Sequence, residues 1–230
     1  MKYYKYKMNI GIGNLLSILI AIPLFIIYGL LFPNFSGSIT FARMPIVILW
    51  FALHELIHYF GYLINKEVSI KNLYLGAYLE KGIFYCQCSQ KVHKKTILIS
   101  LMAPFTVIGV ITFIIAAIFN LPFLGFLSVL NMIGAIFDLM MFDQISKMPK
   151  DVMFAEFDDP DGYYLISKKD LTEYKSKGLD LVEVGEFDSK KVKSKERKRI
   201  EISKLSYIYL IVFIIICLFA DYADYILNLI

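Results

Sequence analysis

Five long apolar runs, separated by short polar segments, organise the chain: residues 10–32, 40–64, 96–119, 121–142 and 205–229. Each is long enough to cross a hydrocarbon core about 30 Å thick, which takes roughly 20 helical residues. The predicted fold class is therefore an all-α polytopic membrane protein with five transmembrane helices. The first run follows Lys2, Lys5 and Lys7 as a secretory signal would. It is too long for a signal h-region and no small-x-small cleavage pattern follows it, so it reads as a retained helix.

The polar segments between the runs carry their own pattern. Residues 68–79 and 83–88 are rich in β-prone side chains around Glu80, Lys81 and Gly82, which predicts a short hairpin in the loop 65–95. Residues 152–157 and 163–166 flank Asp158, Asp159, Pro160, Asp161 and Gly162 and predict a second hairpin. Residues 189–204 are dense in Lys and Arg and are expected to be helical, either as a solvated linker helix or as an anionic-lipid contact beside the fifth span. The organisation that follows is a membrane core over 1–142 with four transmembrane helices, a cytoplasmic segment over 143–204, and a fifth transmembrane helix over 205–230. No internal repeat of the kind found in secondary transporters is visible.

Composition sharpens this picture in one respect. With 58% hydrophobic residues and a mean hydropathy of +0.61, the chain is far more apolar than a soluble domain. Its 24 basic residues fall almost wholly in the N-terminal tail, the 65–95 loop and the 143–204 segment. That distribution is a topology signal and no nucleic-acid footprint: the three basic regions belong in the cytoplasm of a multi-pass cell-membrane protein. The N-terminus is then inside and the C-terminus outside. Of the 3 cysteines, Cys86 and Cys88 fall on a cytoplasmic loop where thiols stay reduced, and Cys217 falls within the fifth run. A metal site of Cys86, Cys88 and His93 has the wrong spacing for a common zinc module.

The chemistry lies in the second run, where His54-Glu55-Leu56-Ile57-His58 matches H-E-x-x-H. Residues four apart share one helix face, so both imidazoles can reach a single metal ion, and Glu55 beside them can take a proton from the attacking water. Zinc brings the pKa of water down to about 7 and so supplies a nucleophile at neutral pH. An ionisable group at bilayer depth costs about 2.5–3.5 kcal/mol on insertion scales, and a metal gives these residues a reason to be there. A metal-free interhelical hydrogen-bond cluster is the bland alternative.

A catalytic zinc site takes three protein ligands and an open position. Asp138 is the other carboxylate deep inside a predicted span, and Asp143 at the membrane edge is the next candidate. At 1.5 Å per residue, His54 stands about 21 Å and Asp138 about 26 Å from the starts of two helices running the same way, so the two can meet. Asn131 precedes Asp138 by two helical turns and points to the same side, where it would hold a substrate amide or join helices. Gly61 and Gly134 each lie one turn from a candidate ligand and are expected to let helices approach closely. Pro104 is expected to bend the third span.

These residues bring in a resemblance. His54-Glu55-Leu56-Ile57-His58, Met102-Ala103-Pro104-Phe105, and Asn131 through Asp138 followed by Asp143 and Lys147 to Pro149 resemble the zincin peptidases of bacterial and archaeal membranes. Those are distant relatives of the site-2 intramembrane proteases. The resemblance covers residues 40–166. It implies a catalytic zinc held by His54, His58 and Asp138, Glu55 as general base, Asn131 as a substrate-binding residue, and a membrane protein or peptide as substrate. The chain departs from the site-2 pattern in having Gly134 where Asn-x-x-Pro places its proline, and Leu139 where a glycine follows the aspartate. The expected function is thus a membrane-embedded zinc metalloendopeptidase. A noncatalytic membrane scaffold that keeps the metal site, and a transporter built on the buried ionisable residues, are the alternatives.

Overall fold

The computed structural model describes residues 2–8, 10–33, 43–79, 83–155, 163–171, 179–186, 200–202, 204–212 and 215. Helix α1 (Ile10–Leu31) is apolar nearly all round, Asn14 and Ser17 being its polar exceptions, and buries only Gly13 and Tyr28 against the rest of the chain. A helix without a polar face that packs this little is solvated by lipid. Helix α2 (Met44–Leu63) starts with a proline in its first turn, where a missing N–H is harmless.

The third span runs continuously over Lys94–Phe119. It is built of α3 (Lys94–Pro104), a π-helical stretch (Phe105–Ile111) and α4 (Thr112–Phe119), and ends at Asn120 in the left-handed conformation. A bend was expected at Pro104, and the π-helical stretch begins immediately after that proline. The fourth predicted span is two helices, α5 (Pro122–Gly134) and α6 (Ile136–Lys147), bent by 46° at Ala135. Among the described residues, three helices are thus long and apolar enough to cross a membrane, or four if the bent pair counts as one. The fifth predicted span lies mostly outside the described residues, of which 204–212 are helical.

Sheet structure goes beyond the two hairpins read from the sequence. One sheet has the order β4-β5-β6-β1-β7, formed by Val92–His93, Met153–Ala155, Tyr163–Ser167, Lys2–Met8 and Leu179–Glu186, all paired antiparallel. The N-terminal strand β1 is therefore not a free tail: it lies between β6 and β7, with Tyr4 fully buried and its hydroxyl donating to Asp170 at 3.1 Å. The second sheet, β3-β2-β8, pairs the hairpin β2 (Leu73–Tyr78) and β3 (Ile83–Cys88) antiparallel and adds β8 (Ile200–Ile202) parallel to β2. Residues 200–202 are hence a strand, not the end of a basic helix. The rest of the expected lipid-binding segment, apart from residue 204, lies outside the described residues. Ser206, in the helix that follows, accepts the Leu79 N–H at 2.8 Å and donates to the Ala77 carbonyl at 3.3 Å, which ties that helix to the hairpin.

The main apolar cluster joins the ends of the helices to the sheets through Tyr4, Tyr62, Leu73, Ile97, Leu101, Met141 and Phe154. A smaller one packs Tyr28 and Phe32 of the α1 end on Ala116, Val129 and Met132. The candidate chemistry sits where α2, α3, α5 and α6 meet.

Candidate active site

Helix α2 can approach α3 closely because of Gly61, where an added Cβ would stand 2.6 Å from the Ser100 Cα. That contact seats His58. Its Nδ1 lies 2.8 Å from the Ser100 carbonyl, and the Ser100 hydroxyl donates to the His58 carbonyl at 3.0 Å. A carbonyl only accepts, so His58 carries its proton on Nδ1 and turns Nε2, with its lone pair, inward.

His54 is fixed the same way through one more residue. The Asn131 amide nitrogen donates to the Pro104 carbonyl at 3.0 Å, which orients the amide and points its oxygen at His54 Nδ1, 2.8 Å away. His54 therefore also carries its proton on Nδ1 and presents a bare Nε2. Gly109, in the π-helical stretch, leaves the room for this: an added Cβ would meet the Met132 side chain at 2.8 Å and the Asn131 amide nitrogen at 3.4 Å. Local widening of a helix at a functional site is a recurrent use of π geometry.

Asp138 completes the group from the first turn of α6. Its Oδ2 lies 3.1 Å from His54 Nε2 and 3.3 Å from His58 Nε2, and the two Nε2 atoms are 3.1 Å apart. Three lone-pair atoms thus converge in a nearly equilateral triangle with no donor among them, and only a proton or a cation can relieve the repulsion. The spacing tests the choice. Donors about 2.0–2.1 Å from a tetrahedral zinc stand about 3.3 Å from one another, so these residues fit zinc in donor type and in separation. The outer hydrogen bonds from both Nδ1 atoms are those that orient metal-ligating histidines generally.

Glu55 lies beside this triangle. Its carboxylate falls within 4.8 Å of the two histidine donor atoms, and the backbone N–H of Cys86 in β3 donates to it. His54 and His58 are buried, whereas Glu55 is partly open.

Other expected residues fall elsewhere. Asp143, five residues beyond Asp138 on α6, is exposed and bound to Lys147 at 2.5 Å. Asn131 is 1% exposed and spends its amide on His54 and Pro104, on the Nδ1 side of the imidazole. Gly134 makes no close helix contact: an added Cβ would meet only Phe51, at 3.7 Å. His93 is engaged by Glu67 at 2.6 Å, and no Cys86–Cys88–His93 group forms among the described residues. The Ser100 and Pro104 carbonyls and the Cys86 amide are backbone groups, for which the sequence carries no signal.

Helices solvated by lipid, with an H-E-x-x-H helix aimed at a carboxylate inside the bundle, define a membrane protein with a zincin-type site. Residues 47–153 match the model of a family described as "Putative zincin peptidase". The match takes in both histidines, Glu55, Asn131 and Asp138, and supports a metallopeptidase. Comparison with curated proteins and with solved structures gives no match.

Proposed function

We propose that the protein is a membrane-embedded zinc metalloendopeptidase that hydrolyses peptide bonds of membrane-associated polypeptides. His54, His58 and Asp138 hold the ion, Glu55 is the general base, and Asn131 is a positioning residue for His54. The observation that carries this reading is the convergence of three proton-free donors at 3.1–3.3 Å, enforced by acceptors on the far side of both imidazoles. Zinc bound there would polarise the scissile carbonyl and activate water. Glu55 takes the proton of the attacking water and returns it to the leaving amine, a role worth about 10²–10⁴-fold in rate.

Strand β3 is the edge of its sheet and meets Glu55 through Cys86. An extended substrate segment added along that edge would bring its backbone beside the general base, and a helical substrate would first have to unwind. The basic loops on the β-sheet side favour a cytoplasmic location for this face.

The test is Glu55→Gln in purified, liposome-reconstituted protein, assayed with a single-span model polypeptide and by metal analysis. Stoichiometric zinc with cleavage reduced at least a hundredfold is expected. Undiminished cleavage removes Glu55 from the reaction. Wild type that holds zinc but cuts nothing favours a scaffold, and cation flux that survives Glu55→Gln favours a transporter.

A further inference from the structure

A groove of about 540 Å³ lies between α3 and α6, lined by Lys94, Lys95, Leu98, Ile99, Met102, Phe142 and Lys150. Nothing in the peptidase reading uses it. Its α3 wall is one helix face, since residues 95, 98, 99 and 102 follow the three- and four-residue spacing of neighbours on a helix. The other face of α3, with Ile97, Ser100, Leu101 and Pro104, is buried in the protein. The groove therefore opens away from the histidines, toward what surrounds the bundle.

Its two ends differ in chemistry. Lys94 and Lys95 begin the span Lys94–Phe119, so they mark where α3 enters the membrane, and Leu98, Ile99 and Met102 follow at successively greater depth. Lys94 is occupied, donating to the Ser146 and Met148 carbonyls at the end of α6 at 2.7 and 2.5 Å. Lys95 and Lys150 are exposed, and neither has an ion pair among the described residues. No carboxylate lines the groove, and Asp143 on α6 is held by Lys147. Ammonium groups gathered at the mouth of an apolar trough call for an anion that carries hydrocarbon.

We infer that this groove binds one anionic phospholipid, its phosphate at Lys95 and Lys150 and an acyl chain along Leu98, Ile99, Met102 and Phe142. A free inorganic anion would satisfy the lysines but leave the apolar wall uncovered. A zwitterionic lipid would cover the wall but bring its own cation to the lysines. Phe142 lies one turn beyond Asp138 on α6, so the bound lipid would brace the helix that supplies the carboxylate. The inference does not rest on the peptidase reading.

The experiment titrates the purified full chain in neutral detergent with dioleoyl phosphatidylglycerol, dioleoyl phosphatidylcholine or inorganic phosphate, and counts bound molecules by native mass spectrometry. One saturable phosphatidylglycerol per chain is expected, undisplaced by phosphate and bound at least tenfold more tightly than phosphatidylcholine. Lys95→Gln with Lys150→Gln should weaken it about thirtyfold, the scale of two ammonium groups lost from a membrane surface. The same exchange at the exposed Lys168 and Lys169 should leave it unchanged. On the wild-type protein, phosphatidylglycerol with a photoreactive acyl chain should label residues 98–102 or Phe142. Equal binding of the two lipids, displacement by phosphate, or labelling confined to other helices would each overturn the inference.

Discussion

Asn131→Ala isolates the device that prepares the site. The substitution leaves the three proposed ligands in place and removes the oxygen that accepts from His54 Nδ1 at 2.8 Å, together with the nitrogen that donates to Pro104 at 3.0 Å. Two effects follow. The buried Nδ1–H loses its acceptor, which costs about 1–3 kcal/mol of stability. The imidazole also loses the bond that fixes its tautomer and rotation, and loss of such an outer partner weakens metal binding about 10–100-fold, or about 1.4–2.8 kcal/mol. Zinc affinity by competition with a fluorescent chelator, measured beside thermal unfolding in the same detergent, separates the two. Asn131→Asp is the informative companion. Its carboxylate still accepts from His54 but sets an oxygen against the Pro104 carbonyl, so it should retain more zinc affinity than the alanine variant while losing stability. If folded Asn131→Ala bound zinc within threefold of wild type, the tautomer argument would be refuted, and Asn131 would be left as a packing residue.

Three further outcomes test other parts of the structure. Gly61→Ala should destabilise the protein and loosen zinc, because overpacking against the Ser100 Cα, about 1–3 kcal/mol, outweighs the roughly 1 kcal/mol that alanine gains in helix propensity. Gly134→Ala, with only Phe51 at 3.7 Å, should keep zinc affinity and raise the unfolding temperature slightly, by no more than the same roughly 1 kcal/mol of helix propensity, and equal behaviour of the two variants would contradict the packing argument. Burial alone would push Glu67 up, but hydrogen bonds from Thr96 and His93 outweigh it and hold the carboxyl below the ordinary glutamate value of 4.5. Its contribution to stability is thus complete above that value and lost as pH falls through the lower folded one, so the unfolding-temperature gap between wild type and Glu67→Gln should be present at pH 7 and shrink below pH about 4.5. Exhaustive chelation should remove one zinc per chain from wild type, and Asp138→Ala should emerge from purification depleted; full zinc in that variant would exclude Asp138 as a ligand.

What the sequence made legible divides along physical lines. Apolar length exposes a span whatever it packs against, so α1, α2 and the Lys94–Phe119 helix fall within two residues of their expected starts and ends, except that α2 begins at Met44 rather than residue 40. The H-E-x-x-H spacing likewise encodes a shared helix face, and Asp138 was visible as a carboxylate at depth. Strand β1 was not legible, because Lys2–Met8 precedes an apolar run and pairs with strands more than 150 residues away. The bend at Ala135 was hidden as well. The run 121–142 is uniformly apolar, and hydropathy carries no information about dihedral angles; Ala135, with φ −74° and ψ 2°, ends one helix and starts the next. For Asn131 the sequence left open a substrate amide or a partner on another helix, and the structure gives it the imidazole of His54 and the Pro104 carbonyl.

That bend explains how a carboxylate is kept at this depth. In a straight helix Asp138 would sit in mid-span with every neighbouring N–H already bonded. Breaking at Ala135 instead puts it in the first turn of α6, at the positive end of that helix's dipole. Such a terminus is worth about 0.3–1 kcal/mol, up to about 2 in a partly buried setting. The insertion cost of an aspartate is about 2.5–3.5 kcal/mol, so the dipole offsets only part of it. The histidines cannot make up the difference as neutral rings, because both turn lone pairs toward the carboxylate. Only a proton or a cation shared among the three donors adds a term large enough to close that gap, and the proposed zinc is such a cation.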